Sequence, residues 1–587
     1  MRFLPAGEAC LVVELGDTID PAINERVRRL ALALEGAGLP GLLEAVPTYR
    51  SVALLLDPLA ADPEALRPTV EGLAAELDAL ALPPPDRVEV PTVYGGEFGP
   101  DLEDVARHTG LAPDQVVALH AGTGYRTYML GFTPGYVYLG GMDPRLATPR
   151  LATPRVRVPA GSVGIGGAQT GIYPSATPGG WRIIGRTPIG LFDPARRPPA
   201  RILPGDEVIF VPIGADRFHE LEEQERQEPS GRREERGLAC EGSPQLPAPE
   251  PVFEVLDPGL FTTVQDLGRH GYQKYGVPTA GAMDPEALRL ANLLVGNPEG
   301  AAGLEMTARG PALRALADAI VAATGADLAA EADGRPIPRY AAVQVFRGEI
   351  LRFPHARGGL RGYLALAGGI AVPPVLGSRA TYVTVALGGV EGRALRAGDR
   401  LACGPPGLDP RVVVGRRAAA EAIPSFAEPI VLRAVLGPQA ERFTEAGLAT
   451  FLSATYRVTD ASDRMGIRLT GPAIAHREGA DILSDAIPLG AVQVPQDGQP
   501  IVLAADRQTT GGYAKIATVI APDIARLGQA APGAAVRFRE VPVREAREAT
   551  RGWRAGIRRW ASAWEYDVGA RLVAFPPSVE YVEPDPP

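Results

Sequence analysis

The chain predicts an α+β, mainly β protein: a small βαββαβ domain followed by three β-barrels, with a charged linker dividing it into two halves. Three observations carry this expectation. Residues 10–93 alternate between strand-like and helix-like apolar periods. From Val156 the texture turns to short strands, Gly-Gly turns and prolines. Three separate stretches then end on the same glycine turn leading into a closing strand.

Cys10–Leu15 alternates as a strand and stops at Gly16. Asp20-Pro21 supplies an N-cap and a proline at the first helical position, and Ile23, Val27, Leu30 and Leu34 mark one apolar face up to Gly36. Strands follow at Leu42–Val46 and Val52–Leu56. Asp62-Pro63 repeats the helix start, with Leu66, Val70, Leu73 and Leu77 on one face. Pro83-Pro84-Pro85 closes the unit before a strand at Val88–Val93. Two short helical patterns between Leu102 and His120, around Gly110, have helix-turn-helix spacing. The segment Gln115–His120 has no lysine or arginine, so a helical insert packed beside a sheet is expected rather than a DNA reader.

The shared barrel ending appears as Pro204-Gly205-Asp206-Glu207-Val208, as Arg396-Ala397-Gly398-Asp399-Arg400 and as Ala531-Pro532-Gly533-Ala534-Ala535. Three related barrels, or convergence on common turn chemistry, would each produce it. Residues 218–250 are rich first in Glu and Arg and then in proline, a composition that buries too little to offset chain entropy; a disordered linker is expected there. The expected units are therefore 1–85 (α/β), 86–217 (barrel), 218–250 (linker), 251–405 and 428–542 (barrels) and 543–587 (helical tail). In the tail, Trp553, Ile557, Trp560 and Trp564 form one stripe, expected to dock on a barrel.

At 587 residues several cores are needed. No apolar run approaches the ~20 residues that span a bilayer, and the first residues carry no secretory signal pattern. Cys10, Cys240 and Cys403 are odd in number and far apart, which disfavours a disulfide framework or zinc site and fits a reducing cytoplasm. The net charge of −10 disfavours nucleic acid as a partner. Only two lysines occur, Lys274 and Lys515, and neither stands in a Walker A loop, between the two methionines of a biotin acceptor, or in a Ser-Ser-Lys amidase arrangement.

The N-terminal half carries Met129-Leu130-Gly131-Phe132-Thr133-Pro134-Gly135-Tyr136, then Gln169-Thr170-Gly171-Ile172-Tyr173-Pro174 and Pro178-Gly179-Gly180-Trp181. From about Phe3 to Val211 it resembles the B subunit of 5-oxoprolinase, the family of the sporulation kinase inhibitor KipI. The C-terminal half carries Gln265-Asp266-Leu267-Gly268-Arg269, Gly281-Ala282-Met283-Asp284, Leu376-Gly377-Ser378-Arg379, Ser462-Asp463-Arg464-Met465-Gly466, Gln493-Val494-Pro495 and Asp506-Arg507-Gln508-Thr509-Thr510-Gly511-Gly512-Tyr513. From about Val252 to Val541 it is similar to the C subunit of 5-oxoprolinase, the KipA or biotin-dependent carboxyltransferase-like family. Both also resemble allophanate hydrolase subunits 1 and 2 and the carboxyltransferase region of urea carboxylase. The resemblance implies cyclophilin-like barrels and a cytoplasmic B/C fusion. Such a fusion would open the lactam of 5-oxoproline to glutamate together with a separate 5-oxoprolinase A subunit, using ATP and Mg²⁺.

Activating a lactam with ATP needs carboxylates for the metal, arginines or backbone N–H groups for phosphate, and a dry site. On that basis Asp463, Arg464, Asp506 and His120 are the expected catalytic residues. Tyr125, Tyr128, Gln169, Thr170, Arg379, Gln493, Arg507, Gln508 and the Thr509-Thr510-Gly511-Gly512-Tyr513 loop are the expected substrate or nucleotide contacts; no metal ligand set is assigned. Each has a structural alternative: Asp-Arg neighbours lock loops, His120 can be a satisfied helix-end residue, and the tyrosines can be core. Asp284 reads as an N-cap and Asn292 as a helix-packing residue, while Glu305 has no assigned role. Two other functions stay open: carboxyl transfer from carboxybiotin to a urea-like acceptor, and inhibition of a histidine kinase by binding. A homo-oligomer is compatible with all three.

Overall fold

The structure, a computed structural model, describes residues 1–151, 153, 155–227, 250–561 and 563–566. Its N-terminal sheet is antiparallel, in the order Arg2–Pro5, Cys10–Glu14, Ser51–Leu56, Leu42–Pro47. The helix Pro21–Gly36 covers one face and buries Val27, Leu30 and Leu34; Asp20 caps it by accepting from Ala22 N and Ile23 N. The second start signal works differently. That helix, Arg67–Ala75, begins after Leu66 with no side-chain cap, and Asp62 instead caps the preceding turn and pairs with Arg547 in the tail. The last strand expected of this unit, Arg87–Tyr94, leaves this domain. Its alternately buried Val90 and Thr92 face the neighbouring barrel, where it runs parallel to Glu207–Pro212.

Two units close into seven-stranded barrels, one spanning Arg87–Pro212 and one Ile430–Glu540. Numbering the strands of each barrel along the chain, both have the cyclic order 1-6-4-5-3-2-7, with the first and last strands parallel. In each, helix is inserted between the first two strands: Leu102–Thr109 and Pro113–Ala121 in one, Glu445–Ser453 in the other. Both barrels thus share one topology. The helical insert of the first lies against its barrel, with Val105, Ala106 and Val116 in the core. The middle unit is built as six- and five-stranded sheets facing one core that includes Phe253, Leu304, Leu351 and Leu364.

The expected linker starts later than residue 218. Ala215–Gln227 is a helix, anchored because Phe218 is buried and packs 4.8 Å from Phe98. The rest of that segment, 228–249, lies outside the described residues. The tail forms the helix Val543–Ala561, and Ile557, Trp560 and Trp564 pack on Leu290, Leu294 and Ala422. It does not rest on one barrel alone. Thr550 Oγ1 donates to Glu8 Oε1 (3.0 Å) in the N-terminal domain, and Arg554 reaches Glu286 (3.3 Å) and Glu299 (3.2 Å) in the middle unit.

Candidate functional site

The segment 504–513 is the point where all the units meet. Ala504–Asp506 follow strand Ile501–Leu503 of the second barrel, and Thr510–Tyr513 pair with Asp481–Ala486. Successive side chains therefore leave the segment toward different units.

Asp506 points into a buried ionic network with the middle unit. Arg464 Nε and Nη2 each donate to its carboxylate at 2.9 Å, Arg464 Nη2 also reaches Gly281 O (2.6 Å), and Nη1 bonds Glu305. Glu305 further accepts from Met283 N (2.8 Å) and Tyr363 Oη (2.7 Å). Burial opposes the charge of Arg464, but Asp506 and Glu305 outweigh it and hold the guanidinium charged. Burial also presses on Glu305, which Arg464 and Arg361 nevertheless keep below the usual carboxylate range. Asp506 is pushed up by burial against the pull of Arg464. Asp506 and Arg464, expected as catalytic residues, are thus placed inside this buried network, Arg464 being shared by Asp506, Glu305 and the Gly281 carbonyl. Asp463, on the exposed side, only caps its own turn through Met465 N (2.8 Å) and Gly466 N (3.1 Å).

Arg507 points the other way, into a cavity of about 230 Å³ between the N-terminal sheet, the middle unit and the second barrel. Its Nε donates to Ile487 O (3.0 Å), Nη2 to Gln273 Oε1 (2.7 Å) and Nη1 to Thr279 Oγ1 (3.2 Å). Leu43, Leu55, Met283 and Ile524 make the walls, and His270 and Glu44 add polar groups. Burial and Arg507 lower the pKa of His270, so its imidazole is neutral near pH 7. Burial brings the Arg507 guanidinium down to about 10, still charged. A guanidinium has five N–H donors; three are used, which leaves two for an anion.

Thr510 docks on the N-terminal half. Its hydroxyl reaches Tyr138 Oη (3.3 Å), and its side chain fills the space left by Gly131, where an added Cβ would lie 2.0 Å from Thr510 Oγ1. Behind Tyr138 stands a ring cluster that places Tyr128 5.3 Å and Tyr138 6.0 Å from Tyr49. Gln169 bonds Tyr49 Oη, so it and Tyr128 do sit near the loop. Gln508 and Gln493 flank Gly511, within 2.6 and 3.1 Å of where its Cβ would be. The Gln493 amide nitrogen and Thr509 Oγ1 are buried without a hydrogen-bond partner. Gly512 lies 3.6 Å, measured in the same way, from Ser484 Oγ, and Tyr513 is exposed.

Four expected residues, His120, Tyr125, Thr170 and Arg379, fall elsewhere. His120 is closed inside the first barrel. Thr170 Oγ1 gives its proton to Gly164 O (3.0 Å), so it accepts from His120 Nε2 (2.9 Å), and Nδ1 accepts from Tyr94 Oη (2.8 Å). Burial lowers its pKa to about 3, so it is a satisfied neutral core residue and no accessible base. Tyr125 and Thr170 share that core, Tyr125 Oη donating to His120 O (2.9 Å). Arg379 is exposed; its Nε bonds Val372 O (2.8 Å), and its backbone N bonds Asp266 (2.6 Å).

Sequence reasoning missed Glu305 and the Lys515–Asp485 pair. Lys515 is fully buried on the outer face of the barrel, with Nζ 3.6 Å from Asp485, which also accepts from Ser51 Oγ (2.7 Å) of the N-terminal sheet. Burial lowers the lysine pKa. Its rarity in the chain was the available signal.

These two barrels of one topology, the paired sheets between them and their shared hub define a carboxyltransferase-type assembly. Residues 275–540 match the family described as carboxyltransferase domain, subdomain A and B, and residues 1–202 match subdomain C and D. The C-terminal half is 38% identical over 298 residues to the 5-oxoprolinase C subunit of Escherichia coli K12, covering 51% of this chain and 94% of that one. The N-terminal half is 47% identical over 209 residues to the 5-oxoprolinase B subunit of Escherichia coli O157:H7, covering 35% and 93%. The crystal structure of TTHA0988 superposes with a TM-score of 0.76 at 37% identity, covering 90% of this chain and 99% of that one. The chain belongs to the families of the 5-oxoprolinase B and C subunits, joined in one polypeptide. A further relative, the urea amidolyase of Lachancea kluyveri, is 33% identical over 316 residues, 51% of this chain and 17% of that one.

Proposed function

We propose that this chain is the fused B and C component of an ATP-dependent 5-oxoprolinase that works with a separate A subunit in the cytoplasm. The observation that supports it most is the placement of Arg507. The family motif that begins at Asp506 delivers a charged arginine with two free N–H donors into a small, mostly apolar cavity. Such a fork suits the carboxylate of 5-oxoproline, and the apolar walls suit its ring.

ATP and Mg²⁺ belong to the proposed reaction; of the two, the metal finds no ligand set among the described residues. Among the described residues no group of three or more His, Cys, Asp or Glu side chains could hold a metal. Asp506 and Arg464, expected as catalytic residues, are bonded to each other. On this reading the separate A subunit would hold the metal.

Mixed with a 5-oxoprolinase A subunit, ATP and Mg²⁺, the chain is expected to convert 5-oxoproline to glutamate, read as glutamate released. Alone it should leave allophanate intact; partner-free turnover of allophanate would sink the reading. The match to carboxyltransferase subdomains supports a second reading, carboxyl transfer to a urea-like acceptor. Transfer of labelled carboxyl from carboxybiotin to urea by this chain would favour it over the first.

A further inference from the structure

A second cavity, of about 400 Å³, lies between the middle unit and the second barrel. The tail helix supplies one wall with Trp553 and Trp560; Tyr340 and Phe426 supply others. This helix starts at Val543, past residue 540 where the carboxyltransferase match ends.

The cations around the cavity are already paired. Arg433 grips Asp523 with two bonds (2.8 and 2.7 Å), and Arg526 stands 3.6 Å from the same carboxylate. Glu286 is held by Arg289 (3.4 Å) and Arg554 (3.3 Å). Asp284 is different. It lines the cavity, is 6% exposed, and receives the neutral donors Glu286 N, Ala287 N (3.1 Å) and Gln529 Nε2 (2.8 Å), while the charge of Arg361 acts on it from beyond ion-pair distance. Among the described residues it has no ion-pair partner within 4.0 Å. Glu421 and Glu428 add negative charge at the exposed rim.

A buried carboxylate with no paired cation is costly, and aromatic faces beside it attract positive charge. We propose that this tail-walled cavity binds a small organic ammonium ion, with its charge against Asp284 and its hydrocarbon part among Trp553, Trp560 and Phe426. Occupancy stabilises the junction, because Gln529 ties Asp284 to Leu360 N (3.1 Å) and Arg361 N (2.9 Å) of the facing strand.

Calorimetric titration of the full chain with benzylamine tests this, with benzyl alcohol and benzoate as matched neutral and anionic probes. Benzylamine is expected to bind saturably at one site and at least about tenfold more tightly than either control. Asp284→Asn keeps a capping side chain and should weaken benzylamine about tenfold while leaving benzyl alcohol unaffected. Trp560→Leu should weaken benzylamine as well. The proposal is overturned if benzylamine binds no better than benzyl alcohol, or if a folded Asp284→Asn variant binds it as the parent does. Should Asp284→Asn fail to fold, Trp560→Leu together with the probe comparison decides the matter alone.

Discussion

Arg464 spends its guanidinium on Asp506, Glu305 and the Gly281 carbonyl, all buried. Removing one partner of such a group leaves charge uncompensated inside the protein, at a cost of about 3–5 kcal/mol. Asp506→Asn and Arg464→Met should therefore lower the melting temperature markedly, while activity per folded molecule stays near the parent value. Thermal denaturation paired with the coupled glutamate assay checks this; an unchanged melting temperature with lost turnover would return these residues to catalysis. His120 makes a different prediction. Its folded pKa of about 3 lies below its ordinary value of 6.5, so the unfolded chain binds more protons between those limits. The stability it contributes is present above pH 6.5 and drains away as pH falls toward 3. In His120→Gln the decline of melting temperature over that acid window should be shallower, and an identical slope would refute the buried neutral imidazole.

At the scale of elements, the 504–513 segment works because the turn between strands Ile501–Leu503 and Thr510–Tyr513 sends neighbouring side chains toward different units. One short stretch thereby locks the middle unit through Asp506, lines a cavity through Arg507 and docks the N-terminal half through Thr510. The last contact depends on a missing methyl group at Gly131. Gly131→Ala should drive the two halves apart locally and destabilise the chain by about 1–3 kcal/mol, the usual cost of overpacking. Denaturant unfolding measures it, and a neutral result would mean that Thr510 does not seat there. The tail helix is the other joining element. Its polar side chains reach Glu8, Asp62, Glu286 and Glu299, so its stripe of Trp560 and Ile557 only starts the docking that Arg547, Thr550 and Arg554 complete.

For the whole molecule, the two halves behave as subunits that share a chain. Buried contacts cross between them at Ser51–Asp485 and Tyr138–Thr510, and a half-buried one at Glu44–Lys274 N (2.9 Å). A protease site placed within 228–249 should give two pieces that elute together in gel filtration and retain activity with the A subunit. Pieces that separate would show that the tether, rather than the interface, holds the assembly.

Local signals in the sequence determined the first helix, whose Asp20-Pro21 start and 3.6-residue apolar face need nothing beyond their neighbours. They also marked the two closed barrels through repeated closing turns, while the third such turn, at Gly398, belongs to the two-sheet middle unit. Tertiary structure alone decided what the motif residues do. Asp463 and Arg464 are adjacent in sequence, yet one is exposed and the other buried between two carboxylates. Asp62-Pro63 repeats the start signal of Asp20-Pro21, yet Asp62 is drawn to Arg547 on the far end of the chain. A side chain's chemistry is set by its dielectric surroundings and by which partner reaches it. Those partners, such as Glu305 for Arg464 at 159 residues' separation, are brought together only by packing of the units.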